Sequence, residues 1–372
     1  MSLRIIITTG GTGGHIFPAL AVIEALKKRR PDIDILFVGG LYGPEKDLVG
    51  RAGVAFEGLP VRGFLGRGPK ALPAMFAMLR GIVRAALIIR RFRPDAVMGF
   101  GGYAAFASVF AASLLGKPCA LHEQNAVAGA ANRILGKLVR RVCLSWDQPA
   151  ANASFPAEKC VLTGNPIRSG IAALGAAERP EKNAPRLLVM GGSLGARAIN
   201  NMVVSMLPAL REAGIDILHQ TGASEYEAVR LAYLEAGIPA EETDRIVHPF
   251  LHDMAAAYAE SDLALCRAGA TTMAELAATG TPAVFIPFPF AAHDHQTGNA
   301  RAMQDAGGGI LLPQKEAELM AQEGRLAPML IDILKDREHL AAMRKGALSL
   351  SRPDAADAVA AELLSIVLDN SK

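Results

Sequence analysis

The sequence predicts an α/β protein of two doubly wound domains, each built on a parallel sheet with helices on both faces. Short apolar runs alternate with helical patterns along the whole chain, which is typical of parallel strands buried on both sides. A pattern of strand, glycine turn and helix begins at Ile5 and restarts at Leu187, about half the chain later. The 372 residues, of which 51% are hydrophobic, are enough for two such domains.

The first half is predicted to hold short buried strands separated by helices. A helix over Phe17–Arg30 follows the first strand, because apolar residues recur on one face and the cations of its last turn match the helix dipole. Pro31 ends that helix. The strands are predicted over Arg4–Thr8, Ile33–Val38, Ala96–Gly99, Cys119–Leu121, Val142–Ser145 and Cys160–Leu162.

The second half repeats this plan after a boundary near Thr163–Arg168, whose Gly-Asn-Pro sequence resists regular structure. A strand over Arg186–Met190 is followed by the glycine turn Gly191–Gly195 and a helix over Ala196–Glu212. Further strands are predicted over Ile215–His219, Asp262–Cys266, Pro282–Ile286 and Gly309–Leu312. The predicted domains are 1–165 and 166–352, with 353–372 as a C-terminal helix that could pack back on the first domain.

Composition argues against several classes of protein. The net charge of +3 is small for a polyanion binder and the aromatic share of 5% is low for base stacking, so we expect no nucleic-acid partner. The four cysteines form no C-x-x-C pair and fit no zinc site, so buried thiols are expected. The apolar stretch 103–116 is too short to span a bilayer, and the N-terminus lacks a signal-peptide pattern, so we expect a cytosolic chain.

The first glycine cluster, Gly10–Gly14, stands between a strand and a helix. Backbone N–H groups at a helix start, together with the helix dipole, favour an anion or an oxygen-rich ligand. The spelling does not fit the G-x-G-x-x-G pattern of nicotinamide dinucleotide sites, and no Walker lysine follows. The structural alternative is a tight turn that only packs the strand against the helix.

His15 follows this turn at the carboxyl edge of the first strand, where open α/β sheets place their ligands. A helix N-terminus lowers the pKa of a histidine, so we expect a neutral imidazole that can accept a proton. The other two glycine turns, Gly99–Tyr103 and Gly191–Gly195, also stand between strand and helix, and Ser193 adds a hydroxyl. The three turns predict a ligand held across a cleft between the domains.

A set of motifs in this order resembles the MurG family of N-acetylglucosaminyltransferases. The resemblance covers nearly the whole chain, and the motifs are highly specific together. They are Gly-Gly-Thr-Gly-Gly-His-Ile-Phe-Pro at 10–18, Gly-Phe-Gly-Gly-Tyr at 99–103, His-Glu-Gln-Asn at 122–125, Thr-Gly-Asn-Pro-Ile-Arg at 163–168, Gly-Gly-Ser-Leu-Gly-Ala-Arg at 191–197, Cys-Arg-Ala-Gly-Ala-Thr-Thr-Met-Ala-Glu at 266–275 and His-Gln-Thr-Gly-Asn at 295–299.

The resemblance implies a GT-B fold, in which two Rossmann-like domains face each other across a deep cleft. It implies transfer of GlcNAc, with inversion, from UDP-GlcNAc to the muramyl 4-hydroxyl of lipid I, giving lipid II for peptidoglycan synthesis. The donor would bind mainly to the second domain and the acceptor to the first, at the cytoplasmic face of the inner membrane and without a cofactor. The alternative is another nucleotide-sugar enzyme of the same fold, such as a UDP-GlcNAc 2-epimerase or a glycolipid synthase.

The resemblance also implies roles for single residues. His15 is the expected catalytic base because of its position on the first glycine turn, and Glu123 or another carboxylate is the substitute if His15 only binds. The expected donor contacts are Thr12, Gly13 and Gly14 in the closing loop, Asn125 at the sugar, Arg168 and Ser193 at the nucleotide and diphosphate, Leu251 at uracil through its backbone, Glu275 at the ribose diol, and Gln296 and Asn299 at the sugar. Gly101, Gly102 and Tyr103 form a candidate loop for the acceptor or its phosphates. His293 departs from the acid that many members carry.

Three of these patterns have simpler explanations. Thr272 and Glu275 also fit a capping box at a helix start. His293 and His295 resemble a metal pair, but no third ligand is evident. Asp32-Ile33-Asp34 spells the D-x-D of metal-dependent sugar transferases, but it lies where a strand begins, at the wrong end for the site. We therefore expect helix N-termini, hydroxyls and arginine, and no metal, to meet the phosphate charge.

The segment 58–94 holds eight cations and no acid, with apolar residues between them. A basic and apolar helix is typical of a segment that lies in a membrane interface. The alternative is a core helix with a basic solvated face. A lipid-linked acceptor favours the membrane surface as a partner.

Overall fold

The chain, described from a computed structural model, divides into two compact units, one formed by residues 1–168 with 354–372 and the other by residues 169–353. The structure describes residues 2–11, 13–61, 71–147, 152–176, 184–192, 195–291 and 294–368, and only the backbone of 71–74. Both units are layered α/β structures with one parallel sheet each, which confirms the predicted fold class.

The sheet of unit 1 has the strand order β3-β2-β1-β4-β5-β6-β7, with all neighbours parallel. The strands are β1 (Arg4–Thr8), β2 (Asp34–Gly40), β3 (Ala55–Leu59), β4 (Ala96–Gly99), β5 (Cys119–Glu123), β6 (Arg141–Leu144) and β7 (Cys160–Leu162). The chain builds outward from β1 to β3 and then returns to β4 on the other side of β1. This reversal makes the carboxyl ends of β1 and β4 the topological switch point, where doubly wound sheets bind ligands.

The helices of unit 1 cover both faces of its sheet. They are α1 (Gly13–Arg29), α2 (Glu45–Arg51), α3 (Ala71–Phe92), α4 (Gly102–Leu114) and α5 (Ala130–Gly136), with a short 3₁₀ turn at Ala157–Lys159. The C-terminal helix Ala355–Leu368 packs against α1, buries Val359 and Leu363 in the same core as Ile5, and pairs Asp357 with Arg29 at 3.0 Å. The last segment of the chain therefore completes unit 1.

Unit 2 repeats the plan with the strand order β10-β9-β8-β11-β12-β13. Its strands are β8 (Arg186–Met190), β9 (Asp216–Gln220), β10 (Val247–His248), β11 (Leu263–Cys266), β12 (Ala283–Phe285) and β13 (Gly309–Leu311). Its helices are α6 (Ser169–Ala172), α7 (Arg197–Glu212), α8 (Tyr226–Glu235), α9 (Ala240–Ile246), α10 (Met254–Ala259), α11 (Ala270–Thr279), α12 (His295–Asp305), α13 (Gln314–Gln322), α14 (Leu326–Lys335) and α15 (Arg337–Ser349), with a 3₁₀ turn at Ala173–Ala176. The helix 355–368 is α16 in chain order.

The predicted strands are all present, with ends shifted by no more than two residues. The edge strands β3 and β10 are additions that the sequence did not predict, and α1 begins at Gly13 rather than Phe17. Of the cysteines expected to be buried, Cys160 is only half-buried. None of the helices in the described part of the chain is long and apolar enough to cross a membrane.

Candidate active site

The first two glycine turns meet at the switch point of unit 1. The N–H of Gly10, after β1, donates to the carbonyl oxygen of Gly101, after β4, at 3.0 Å. Gly102 has a φ of 83°, and a side chain there would collide with the Gly10 carbonyl. Only glycine permits this close approach, so the two turns form one continuous backbone surface at the start of α1 and α4.

His15 lies in the first turn of α1, half-buried, and is thus held at this surface. Its Nδ1 atom is 3.2 Å from the Oε1 atom of the buried Gln124, which directly follows β5. Gly13 is buried and Gly14 is exposed beside it, whereas Thr12 lies outside the described residues. The structure therefore places His15 against Gly101, and Gly102 and the half-buried Tyr103 follow in the same turn.

A buried carboxylate occupies part of the first glycine turn. Glu45, at the start of α2, accepts hydrogen bonds through Oε1 from the N–H groups of Gly11 at 3.0 Å and Gly40 at 3.3 Å. The N–H of Gly11 is therefore engaged by Glu45, so the donors expected for an anion in this turn are those at the helix start. Sequence reasoning missed Glu45, although it follows the glycine pair that ends the neighbouring strand β2.

Glu123 shapes the loop after β5. Its two carboxylate oxygens accept hydrogen bonds from the backbone N–H groups of Asn125 and Gly129 and from the side-chain amides of Asn125 and Asn132, at 2.8–3.2 Å. The side chain is 2% exposed. A carboxylate so enclosed braces the loop that carries Asn125, and it is a poor substitute for His15 as a base.

His122 and Arg168 flank this region within unit 1. Burial lowers the pKa of His122 to about 4, so its ring is neutral at pH 7, with Nε2 3.0 Å from the Gly164 carbonyl oxygen. The guanidinium of Arg168 lies 5.0 Å from the centre of the Phe17 ring, on α1. The Gly-Asn-Pro segment therefore returns to the helix that bears His15.

The switch point of unit 2 lies between β8 and β11, which pair in parallel from Leu187 with Leu263 to Met190 with Cys266. Gly191 and Gly192 follow β8, but Ser193 lies outside the described residues. Gln220, at the end of β9, donates through Nε2 to the Gly192 carbonyl at 3.0 Å and accepts from the N–H of Leu251 at 2.9 Å. Because that N–H is engaged, Leu251 can offer a uracil base only its carbonyl oxygen.

Glu275 is buried on α11, with 4% of its surface exposed. Its Oε2 atom accepts a hydrogen bond from the hydroxyl of the buried Tyr258 on α10, at 2.9 Å. The helix begins after Gly269, which makes no side-chain cap, so Thr272 lies inside the first turn. The capping-box alternative for Thr272 and Glu275 is therefore wrong.

The start of α12 carries the two remaining predicted donor contacts. Gln296 accepts through Oε1 from the N–H of Phe288 at 2.9 Å, and Asn299 is fully buried and donates to the carbonyl of Ala268 at 3.1 Å. These bonds tie α12 to the ends of β11 and β12. His293 lies outside the described residues, and the described ones contain no group of three or more His, Cys, Asp or Glu side chains placed to hold a metal ion.

The helix α3 has two apolar faces. Met78, Ala85, Ile88 and Ile89 are buried in the core of unit 1, where α3 packs mainly against α4. Large apolar side chains also stand exposed along the opposite side, at Met75, Phe76, Leu79, Val83 and Leu87. Exposed arginines at 80, 84, 90 and 91 border this stripe, which we call the α3 outer face. The core-helix alternative accounts for only one of the two faces. Of the segment 58–94, the structure describes residues 58–61 and 71–94.

Both halves of the chain match domains of one enzyme family. Residues 5–144 match the glycosyltransferase family 28 N-terminal domain, and residues 186–359 match the glycosyltransferase family 28 C-terminal domain. These two ranges contain the switch points of the two sheets.

The curated relatives are similar over almost their whole length. A protein of Nitratidesulfovibrio vulgaris is 53% identical over 98% of both chains, and one of Solidesulfovibrio magneticus is 47% identical over 98% of both. Each is named UDP-N-acetylglucosamine–N-acetylmuramyl-(pentapeptide) pyrophosphoryl-undecaprenol N-acetylglucosamine transferase. The crystal structure of Acinetobacter baumannii MurG is 32% identical, covers 98% of this chain and 99% of its own, and has a TM-score of 0.74. A UDP-N-acetylglucosamine 2-epimerase structure, at 15% identity and a TM-score of 0.68, shares the fold alone.

Proposed function

The chain belongs to the MurG family of glycosyltransferase family 28, and we propose from this that it transfers GlcNAc from UDP-GlcNAc to the muramyl 4-hydroxyl of lipid I, forming lipid II. The observation that carries the proposal is the 53% identity over 98% of a relative that bears this enzyme's name. The family fold is GT-B. The epimerase and glycolipid-synthase alternatives are not favoured, because relatives 45–53% identical over nearly the whole chain carry the GlcNAc-transferase name, whereas an epimerase structure shares the fold at 15% identity.

We assign donor recognition mainly to unit 2. Glu275, oriented by Tyr258, receives the ribose diol, and the Leu251 carbonyl meets uracil. Gln296 and Asn299 are assigned to the sugar, and Ser193 is assigned to the diphosphate. Thr12, Gly13, Gly14, Asn125 and Arg168 of unit 1 complete the assigned donor contacts.

We assign acceptor recognition and the proton transfer to unit 1. Gly101, Gly102 and Tyr103 form the start of α4, whose N–H groups suit an acceptor phosphate. His15 stands beside this turn and takes the proton of the acceptor hydroxyl. A carboxylate already bonds the N–H of Gly11, so the second glycine turn suits an anion better than the first.

The reaction is one direct displacement at the anomeric carbon. The acceptor oxygen forms a bond to C1 while the bond from C1 to the UDP oxygen breaks, and the electron pair leaves with UDP. The hydroxyl proton passes to His15 as the new bond forms. One displacement inverts the configuration, which matches the implied stereochemistry.

The α3 outer face suits attachment to the membrane that carries a lipid-linked acceptor. Exposed apolar side chains can enter the interface, while the bordering arginines pair with anionic headgroups. This arrangement supports a peripheral position on the cytoplasmic face of the inner membrane.

The test is an assay of the purified chain with labelled UDP-GlcNAc and lipid I or a short-chain analogue. Labelled disaccharide lipid and UDP should appear in equal amounts, and UDP-GlcNAc should persist when the acceptor is left out. Conversion of UDP-GlcNAc to its 2-epimer without acceptor would instead identify the epimerase alternative.

A further inference from the structure

The side-chain amide of Gln124 has a fixed orientation. The residue is 1% exposed, and its Nε2 atom lies 2.8 Å from the carbonyl oxygen of Phe100. A carbonyl oxygen only accepts hydrogen bonds, so the amide nitrogen must face Phe100 and the amide oxygen must face the other way. Trp146 adds a hydrogen bond from its Nε1 atom to the backbone carbonyl of Gln124 at 3.1 Å.

The oxygen of this amide faces the imidazole of His15. The distance from Gln124 Oε1 to His15 Nδ1 is 3.2 Å. An amide oxygen cannot donate, so this contact is a hydrogen bond only when Nδ1 carries the hydrogen. In a neutral imidazole Nε2 is then the nitrogen with the lone pair.

The backbone around the ring keeps it in place. A side chain on Gly101 would begin 3.1 Å from the His15 Cε1 atom and 3.3 Å from Nδ1, so the turn after β4 packs directly against this edge of the ring. Among the described residues, His122 on β5 is a titratable neighbour that burial keeps neutral, and Glu45 bonds the turn before His15 through its Oε1 atom. The ring therefore has little freedom to exchange its two nitrogens by flipping.

We propose that Gln124 is a positioning residue that holds His15 in the Nδ1–H tautomer and so presents Nε2 as the proton acceptor. The inference rests on the proposed role of His15 as the base, but the tautomer is a property of the protein without substrates. In the displacement, the acceptor hydroxyl gives its proton to Nε2, and Nδ1–H continues to donate to Gln124 as the ring becomes positively charged. The alternative is that Gln124 only joins the end of β5 to the end of β4 through its bond to Phe100. It would then contribute to the stability of the fold but would not select a tautomer of His15.

The test is nitrogen NMR of the full chain labelled with ¹⁵N-histidine, without ligand, with His15 assigned by its loss in His15→Ala. The wild-type protein should show a protonated Nδ1 and an unprotonated Nε2 at pH 8. Gln124→Met removes the acceptor, so the Nε2–H form should appear. The kcat should fall on the order of 10–100-fold, by analogy with the loss of groups that orient metal-bound histidines. The KM for UDP-GlcNAc should stay within a small factor.

Two further variants keep the result decisive. Trp146→Phe removes a bond to the Gln124 backbone without touching its amide, and should leave the tautomer unchanged. Gln124→Glu keeps an acceptor against Nδ1 and adds a charge, so the pKa of His15 measured by NMR should rise. A wild-type His15 in the Nε2–H form overturns the proposal, and so does a folded Gln124→Met with wild-type tautomer and kcat. If the chain transferred no GlcNAc, the proposed function would fail, but the measured tautomer of His15 would still test the positioning role of Gln124.

Discussion

The hydroxyl of Tyr258 donates a hydrogen bond to the Oε2 atom of Glu275 at 2.9 Å, and both side chains are buried. The bond fixes the rotation of a carboxylate assigned to the ribose diol. We predict that Glu275→Ala weakens UDP binding by about 10–100-fold, because a hydrogen bond to a charged group contributes ~1.5–3 kcal/mol. Isothermal titration of the folded variant with UDP measures this.

A deoxy nucleotide is the matched control for that prediction. Glu275→Ala should change the affinity for 2′,3′-dideoxy-UDP far less than the affinity for UDP, because the analogue lacks the diol. Tyr258→Phe, which keeps the carboxylate and removes only its partner, should fall between wild type and Glu275→Ala. A folded Glu275→Ala that binds UDP like wild type would refute the assignment.

Turnover should persist in EDTA. The phosphate charge is assigned to backbone N–H groups, hydroxyls and arginine, so no step requires a divalent ion. The measurement is the initial rate of UDP release with lipid I before and after treatment with EDTA. Loss of activity in EDTA, restored by Mg²⁺ or Mn²⁺, would contradict this prediction.

The α3 outer face should govern membrane binding. Leu79→Glu with Val83→Glu should reduce binding to anionic vesicles by at least about tenfold. Both side chains are exposed in the protein, and each would contribute ~1.5–3 kcal/mol to binding by becoming buried in the membrane. Activity on a soluble acceptor analogue should remain. Ile82 is unsuitable for this test, because it packs against the core of unit 1.

An equally exposed leucine elsewhere supplies the control. Leu231 on α8 is 55% exposed, and Leu231→Glu should leave vesicle binding unchanged. Equal loss of activity on lipid-linked and soluble acceptors in the α3 variant would mean that the substitutions had damaged the fold of unit 1.

The protein should lose stability between pH 6.5 and pH 5. Burial lowers the pKa of His122 to about 4 and that of His219 to about 3, against 6.5 for a histidine in water. Below pH 6.5 these histidines therefore bind protons in the unfolded chain but not in the folded chain, so the free energy of unfolding decreases as the pH falls. Each histidine should lower the free energy of unfolding by up to ~1.4 kcal/mol per pH unit in this window.

Urea unfolding at pH 7, 6 and 5 measures this dependence. His122→Gln removes one of the two groups, so the fall between pH 6 and pH 5 should become about half as steep. The same unfolding free energy at pH 7 and pH 5 in the wild-type protein would show that these histidines are not held neutral by the fold.

The sequence predicted the central strands well but missed two of the four edge strands, β3 and β10. Strands such as β1 and β8 are buried on both sides, so they are unbroken apolar runs that the pattern reveals. By contrast, β3 contains Glu57 at the edge of its sheet, and β10 has only two residues. β3 therefore lacks the unbroken apolar run of β1, and β10 is too short to show a pattern.

The contacts that orient the site were beyond the sequence. Gln124 and His15 are separated by 109 positions, and Tyr258 and Glu275 by 17. No local period links such residues, because only the packing of β5 beside β4, or of α10 beside α11, brings them together. The family motifs supplied the candidate residues, and the fold supplies the partners that fix them.

The measurement that bears most directly on the proposed mechanism is the pH dependence of kcat for the wild-type chain and for His15→Ala, with lipid I and saturating UDP-GlcNAc. Loss of a general base lowers kcat by ~10²–10⁴-fold, and UDP-GlcNAc affinity should stay within a small factor because the imidazole of His15 is not among the assigned donor contacts. The wild-type rate should fall on the acid side of the profile, and the variant should lose that limb. A His15→Ala chain that kept most of its kcat, with the acid limb unchanged, would contradict the account and leave His15 as a binding residue.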